Sequence, residues 1–276
     1  MQHSVSTEVT ALHRRAQQAL NRHALREAHE CCARILSLEP GHADAHFLMG
    51  MIAFMQNHIG KALALIDRAI AREPNNAEYL ARRGQCLAMM KRQAEALETA
   101  DRALAADPKD ALTLDTIGVL FTHAGAHDRA VGVLERAVAA APDNAQFQFN
   151  LASAQTFVGD FAAAERAFEA AIAARPDFSR AHWALSDLVR ATAQRNHIER
   201  LEGQLEALEN TPAEARENDR LYLCHALAKE SEDLGEYSRS LDYLHRGKAP
   251  KRAALQWRID HDREIFDTLH AVCDRI

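Results

Sequence analysis

A chain of 276 residues with 47% hydrophobic residues can bury a large apolar surface, and its length admits either two globules or one elongated array. Aromatics at 6%, with 11 glycines and 7 prolines, point to helices packed closely through small side chains. The formal net charge of -6 arises from acids and bases mixed along the chain, which offers no basic stripe to nucleic acid. The first ten residues, MQHSVSTEVT, lack the basic start and apolar stretch of a signal peptide, and no eighteen apolar residues run together to span a membrane. A soluble, cytoplasmic protein is expected. Cys31, Cys32, Cys86, Cys224 and Cys273 form an odd, scattered set without a CxxC pair, so they are read as reduced thiols, with the adjacent Cys31 and Cys32 on a buried helix face.

After an N-terminal tail (1–8), five prolines at 40, 74, 108, 142 and 176 recur every 34 residues, inside the strings EPGHA, EPNNA, DPKDA, APDNA and RPDFS. Proline there ends one helix, and Asp, Asn or Ser caps the next. Counted from residues 9, 43, 77, 111 and 145, place 8 of each repeat holds Ala16, Gly50, Gly84, Gly118 and Ala152. Place 20 holds Ala28, Ala62, Ala96, Ala130 and Ala164, and place 27 holds Ile35, Ala69, Ala103, Ala137 and Ala171. Small side chains at these points let two antiparallel helices approach closely.

A 34-residue helix-turn-helix with small residues at places 8, 20 and 27 and Pro at 32 resembles the tetratricopeptide repeat family, over residues 9–178. The large residues of places 4 and 7 appear as Leu12, Met49, Leu80, Leu114, Ile117 and Leu151, without the Trp or Tyr often found there. The resemblance implies an all-α fold, a right-handed superhelical solenoid of antiparallel helix pairs with no β-sheet.

From 179 the pattern drifts. SRAHWALSDLVRATA reads as a first helix and Ile198, Leu201, Leu205 and Leu208 as the stripe of its partner, a degenerate sixth pair over 179–210. Thr211, Pro212 and Glu214 form a helix-start pattern opening a seventh pair (211–252), with Gly235 and Tyr237 at its turn and Ser240 at the packing-alanine place. Leu255, Ile259, Phe266, Leu269 and Ile276 mark one face of a capping helix over 253–276. The stretch 217–252, with EDLGEYSRS and RGKAPKR, is similar to the region before the catalytic domain of bacterial tetratricopeptide-repeat sulfotransferases. That resemblance implies a scaffold presenting an acceptor protein to, or docking on, a sulfotransferase catalytic domain. The phosphate-binding loop of such enzymes is missing from this sequence, as are GxxxxGK[ST] and GxGxxG, so no catalytic residue and no cofactor are assigned.

The tetratricopeptide resemblance also implies a concave groove, lined from places 2, 5, 9, 12 and 13 of each first helix. Carried onto this chain, the groove residues are Phe47, Met51, Phe54 and Met55 from the second repeat, then Gln85, Met89, Asp115 and Val119. Phe149, Phe157, Trp183 and Arg190 follow. Met and flat aromatics suit an apolar segment or helix, so the expected partner is a protein or peptide, with self-association through an end helix as a third reading. The clamp by which co-chaperone members hold an acidic C-terminus falls here on His13, Gln17, Leu48, Glu78 and Arg82, of which only Arg82 fits, and Glu78 repels a carboxylate. His42 and His46, four apart, straddle a turn and find no third ligand, so no metal site is assigned. The carboxylates are read as surface charges, and Asp260, His261 and Asp262, which fan out around a helix, as a solvated face.

Overall fold

The computed structural model describes residues 2–209, 217–255 and 259–273. Its elements are helices: α1 (Gln2–Asn21), α2 (Leu25–Leu38), α3 (Ala43–Met55), α4 (Ile59–Ile70), α5 (Ala77–Met89), α6 (Gln93–Ala105), α7 (Ala111–His123) and α8 (His127–Ala140). They continue as α9 (Ala145–Val158), α10 (Phe161–Ala174), α11 (Ser179–Leu188), α12 (Ile198–Glu209), α13 (Glu217–Asp233), α14 (Tyr237–Leu255) and α15 (Ile259–Cys273). Among the described residues the only β-pairing is an isolated bridge between Thr192 and Arg195. The chain is all-α and of the solenoid class built from antiparallel helix pairs. It divides into two compact units, Met1–Ala164 and Glu165–Ile276, the division falling within α10. Thr211, Pro212, Glu214 and Ile276 lie outside the described residues, as do the side chains of Leu255 and Leu269.

In the N-terminal unit each repeat pairs its two helices, α1 with α2 through α7 with α8, and each second helix packs on the first helix of the next repeat. The small places are the contacts. Ala16, Ala152, Ile35, Ala69, Ala103 and Ala137 are fully buried, and the place-20 alanines are at most 2% exposed. At Gly50 and Gly84 an added Cβ would come within 2.8 Å of Ile66 and 2.7 Å of Leu120. Helix starts are capped as the turn strings imply: Asn76 Oδ1 accepts from the Tyr79 amide (3.3 Å), Asp110 Oδ1 from Thr113 (2.8 Å) and Asn144 Oδ1 from Gln146 (3.0 Å).

Two devices were not legible in the sequence pattern. The inter-helix turn passes through a left-handed residue at place 15 of every repeat, His23, Asn57, Lys91, Gly125 and Gly159, and only two of these are the glycines that the conformation favours. At place 4, where the family's aromatic is missing, His46 Nε2, Gln148 Nε2 and His182 Nε2 lie 3.0, 2.9 and 2.8 Å from the carbonyl oxygens of Pro40, Pro142 and Pro176. Polar side chains thereby tie the proline turn to the following helix. His42 Nδ1 accepts the Ala45 amide, so both imidazoles of the His42/His46 pair serve the backbone. The four described cysteines are free and buried, and burial pushes the Cys32 thiol up to about 12.

In the C-terminal unit α13 packs on α11, α12 and α14. The expected first helix SRAHWALSDLVRATA stops at Leu188, five residues early, and two amides of the segment that follows are taken by carboxylates on α13. Asp233 Oδ2 accepts the Ala191 amide (2.9 Å), and Glu230 Oε2 accepts the His197 amide (2.6 Å). Glu230 also takes the His197 ring through Nδ1 (2.7 Å), while Glu169 of α10 lies 3.4 Å from Nε2 and takes two hydrogen bonds from Arg200. Glu230 is therefore no surface charge, being 1% exposed. Glu169 and Glu230, on either side of the ring, raise His197 to about 9, and the His197 and Arg200 donors hold Glu169 down to about 2. Farther along, Ala228, Gly235, Ser240 and Gly247 reproduce the spacing of places 8, 15, 20 and 27, and a Cβ on Gly247 would meet Cys224 Cβ at 2.7 Å. On α15, Ile259, Ile265 and Phe266 are exposed.

Candidate binding groove

The first helices of the N-terminal unit carry the candidate groove. Around α3 they form an open cavity of about 730 Å³, with Leu20, Phe47, Leu48, Met51, Met55 and Leu112 as its apolar lining and His13, Gln17, Asp44, Glu78 and Arg82 among its polar residues, with Asn21 and His23 at the α1 end. The size suits several side chains of a ligand rather than one. Phe47 is 5% exposed and stacks on Tyr79 with ring centroids 4.6 Å apart, so it forms the floor and belongs to the core. Met51 is half-buried above it, and Met55 is 38% exposed at the lip. All five clamp positions, His13, Gln17, Leu48, Glu78 and Arg82, line this one cavity.

Place 13 forms a second feature. Met55, Met89, His123 and Phe157, 34 residues apart, are all exposed, and Phe157 is stacked on His127 at 4.4 Å. Phe54, Gln85, Val119 and Phe149 are half-buried, and Asp115 is buried at 7% exposure. Trp183 and Arg190 belong to the C-terminal unit, where both are exposed and Trp183 lies against Tyr222 at 5.4 Å.

Electrostatically the groove is uneven. Asp44 accepts the Tyr79 hydroxyl and sits 3.4 Å from His13 Nε2. Arg82 donates to Gln85 Oε1 (3.0 Å), with burial pulling its guanidinium down and Glu78, Asp110 and Asp115 pulling it up. Burial lifts Asp115 to about 6 although Asn150 Nδ2 donates to it at 2.8 Å. Glu78 is exposed on α5, and its partial desolvation in the groove raises it, opposed by Arg82 and reinforced by Asp110 and Asp44. The repeat pattern gives no sign of the roles of Tyr79, His127 and Asn150, since each acts through a partner about one repeat away.

Comparison with known proteins agrees with this architecture. A family model described as the Psidin N-terminal TPR repeats region matches residues 53–202, just over half of the chain, and one described as tetratricopeptide repeat matches residues 19–86. No curated protein sequence matches. Among solved structures, pilF of Pseudomonas aeruginosa superposes with a TM-score of 0.63 at 16% identity, over 75% of this chain and 92% of its own. The C-terminal part of a TPR repeat-containing protein from Cytophaga hutchinsonii gives 0.57 at 12% identity, over 88% and 98%. YrrB, whose structure is titled as a TPR protein with an unusual peptide-binding site, gives 0.52 at 16% identity, over 78% and 98%. These likenesses concern the fold.

Proposed function

The chain belongs to the tetratricopeptide repeat family of protein-interaction scaffolds, and from that premise we propose that its N-terminal unit holds a peptide segment of a partner protein in the α1–α3–α5 groove. The observation that carries this is the cavity itself: apolar side chains at Met51, Met55 and Leu112 line it although the packing places of the same helices are already filled. Flexible Met side chains adapt to apolar ligands, and first helices offer anchors at helical spacing. The exposed place-13 row, Met55, Met89 and Phe157, extends the apolar surface beyond the cavity. We assign no catalytic residue and no cofactor. The alternative, a non-catalytic region of a sulfotransferase-type enzyme that presents an acceptor protein or docks on a catalytic domain, draws only on the likeness of 217–252. No helix among the described residues is long and apolar enough to cross a membrane.

Dodecapeptides selected from a random displayed library against the full chain test the proposal. Met55→Glu, together with the milder Met51→Gln, is expected to weaken their binding at least about tenfold, since burying a charge against an apolar ligand costs more than 1.4 kcal/mol. Unchanged affinity in variants with wild-type circular dichroism would contradict it.

A further inference from the structure

Resting on that reading, the charges of the groove say what kind of peptide it takes. Place 2 of two successive repeats carries Asp44 and Glu78, both lining the cavity. Asp44 is engaged by Tyr79 and His13, whereas Glu78 makes no hydrogen bond or ion pair among the described residues. Asp110 and Asp115 stand within electrostatic reach of Arg82, as Glu78 does, so one guanidinium is set among three carboxylates. Arg82 is itself tied to Gln85. The cavity has an acidic side and an apolar floor, and the one guanidinium in its lining, Arg82, is shared among three carboxylates, so a ligand carboxylate would meet repulsion at Glu78.

We infer that the groove's occupant is a peptide segment that presents a Lys or Arg side chain to Glu78 beside an apolar side chain seated between Met51 and Met55. The aliphatic stem of Lys or Arg covers apolar surface while its head reaches the acidic side. A basic head supplies the charge-assisted hydrogen bond that Glu78 lacks, and complementary charge fixes the register of the peptide along the groove. The ligand sign is the reverse of the carboxylate clamp, on the same five positions.

The test uses the same displayed dodecapeptide library, followed by titration of synthetic peptides by fluorescence anisotropy. Enriched peptides are expected to carry Lys or Arg within two residues of Leu, Ile or Phe. Replacing that Lys by norleucine, which keeps the stem and removes the charge, is expected to weaken binding about tenfold, as is Glu78→Gln in the protein, with no further loss when the two are combined. Enriched peptides without a basic residue, or additive losses in the combined experiment, overturn this inference. They leave the groove reading intact as long as Met55→Glu still weakens binding. If no peptide is enriched, or Met55→Glu has no effect, the groove reading falls and this inference with it.

Discussion

His197→Ala is expected to destabilise the C-terminal unit by about 3–5 kcal/mol, because it leaves Glu230, 1% exposed, with a backbone amide as its remaining partner. A buried carboxylate without a cation is among the costliest defects a fold can carry. Replacing both partners by Leu removes the charge with its counter-charge, so the double variant is expected to lose less than His197→Ala alone. Both tryptophans, Trp183 and Trp257, follow residue 164 in the chain, so intrinsic fluorescence during guanidinium unfolding follows this unit.

The same residue makes the stability pH-dependent. His197 titrates near 9 in the folded chain, above its ordinary 6.5, so its contribution is complete below 6.5 and disappears as pH rises through 9. With its side chain 21% exposed, the loss across that window is on the order of 3 kcal/mol. Glu169 behaves oppositely: held down to about 2, it stabilises above 4.5 and ceases to do so as pH falls towards 2. At 39% exposure its ion pair is screened and its share is smaller. In His197→Ala the fall between pH 6.5 and 9 should vanish. A wild-type stability that is flat across this window would refute the assignment.

The second large effect concerns Gly118. A Cβ there would lie 2.5 Å from Leu134 Cγ and 2.6 Å from its Cδ2, and Leu134 is fully buried between α7 and α8. Alanine gains about 1 kcal/mol in helix propensity, but overpacking a filled contact costs about 1–3 kcal/mol, and a branch carbon cannot swing away as a chain end can. Gly118→Ala is therefore expected to lose up to about 2 kcal/mol of stability, towards the upper end because Cγ is fixed. Gly132, on the exposed face of α8 with nothing within 4 Å of its added Cβ, feels only the propensity, so Gly132→Ala should gain about 0.5–1 kcal/mol. Opposite signs for two Gly→Ala changes in adjacent helices, measured by urea unfolding followed by circular dichroism, are the expected result. Equal signs would show that place 8 is not a tight contact.

These two cases also mark what the sequence makes legible. The small places recur every 34 residues because each repeat solves the same local packing problem, so Gly118 announces its role by position. His197 does not. Its partners lie 28 and 33 residues away on two different helices, and the loop that follows α11 is held by Glu230 and Asp233, an acidic pair whose spacing is too common on helices to announce that role. The groove falls between these extremes. Positions 13, 17, 48, 78 and 82 carried over from the family line one cavity, yet the pattern alone could not show that Phe47 and Asp115 are buried, that Tyr79 engages Asp44, or that Glu78 is left unengaged. Left-handed turns at His23 and Lys91 were hidden because neither residue favours that conformation.

A peptide that enters beside α3 meets reporters that the protein itself carries. Of its six methionines, Met51 and Met55 line the cavity, while Met49 packs in the core and Met90 lies on the turn after α5. Protein labelled with methyl-13C methionine and titrated with a selected dodecapeptide should show the Met51 and Met55 methyl resonances shifting saturably, with Met49 and Met90 unmoved. Saturable peptide binding that leaves Met51 and Met55 in place would contradict the account.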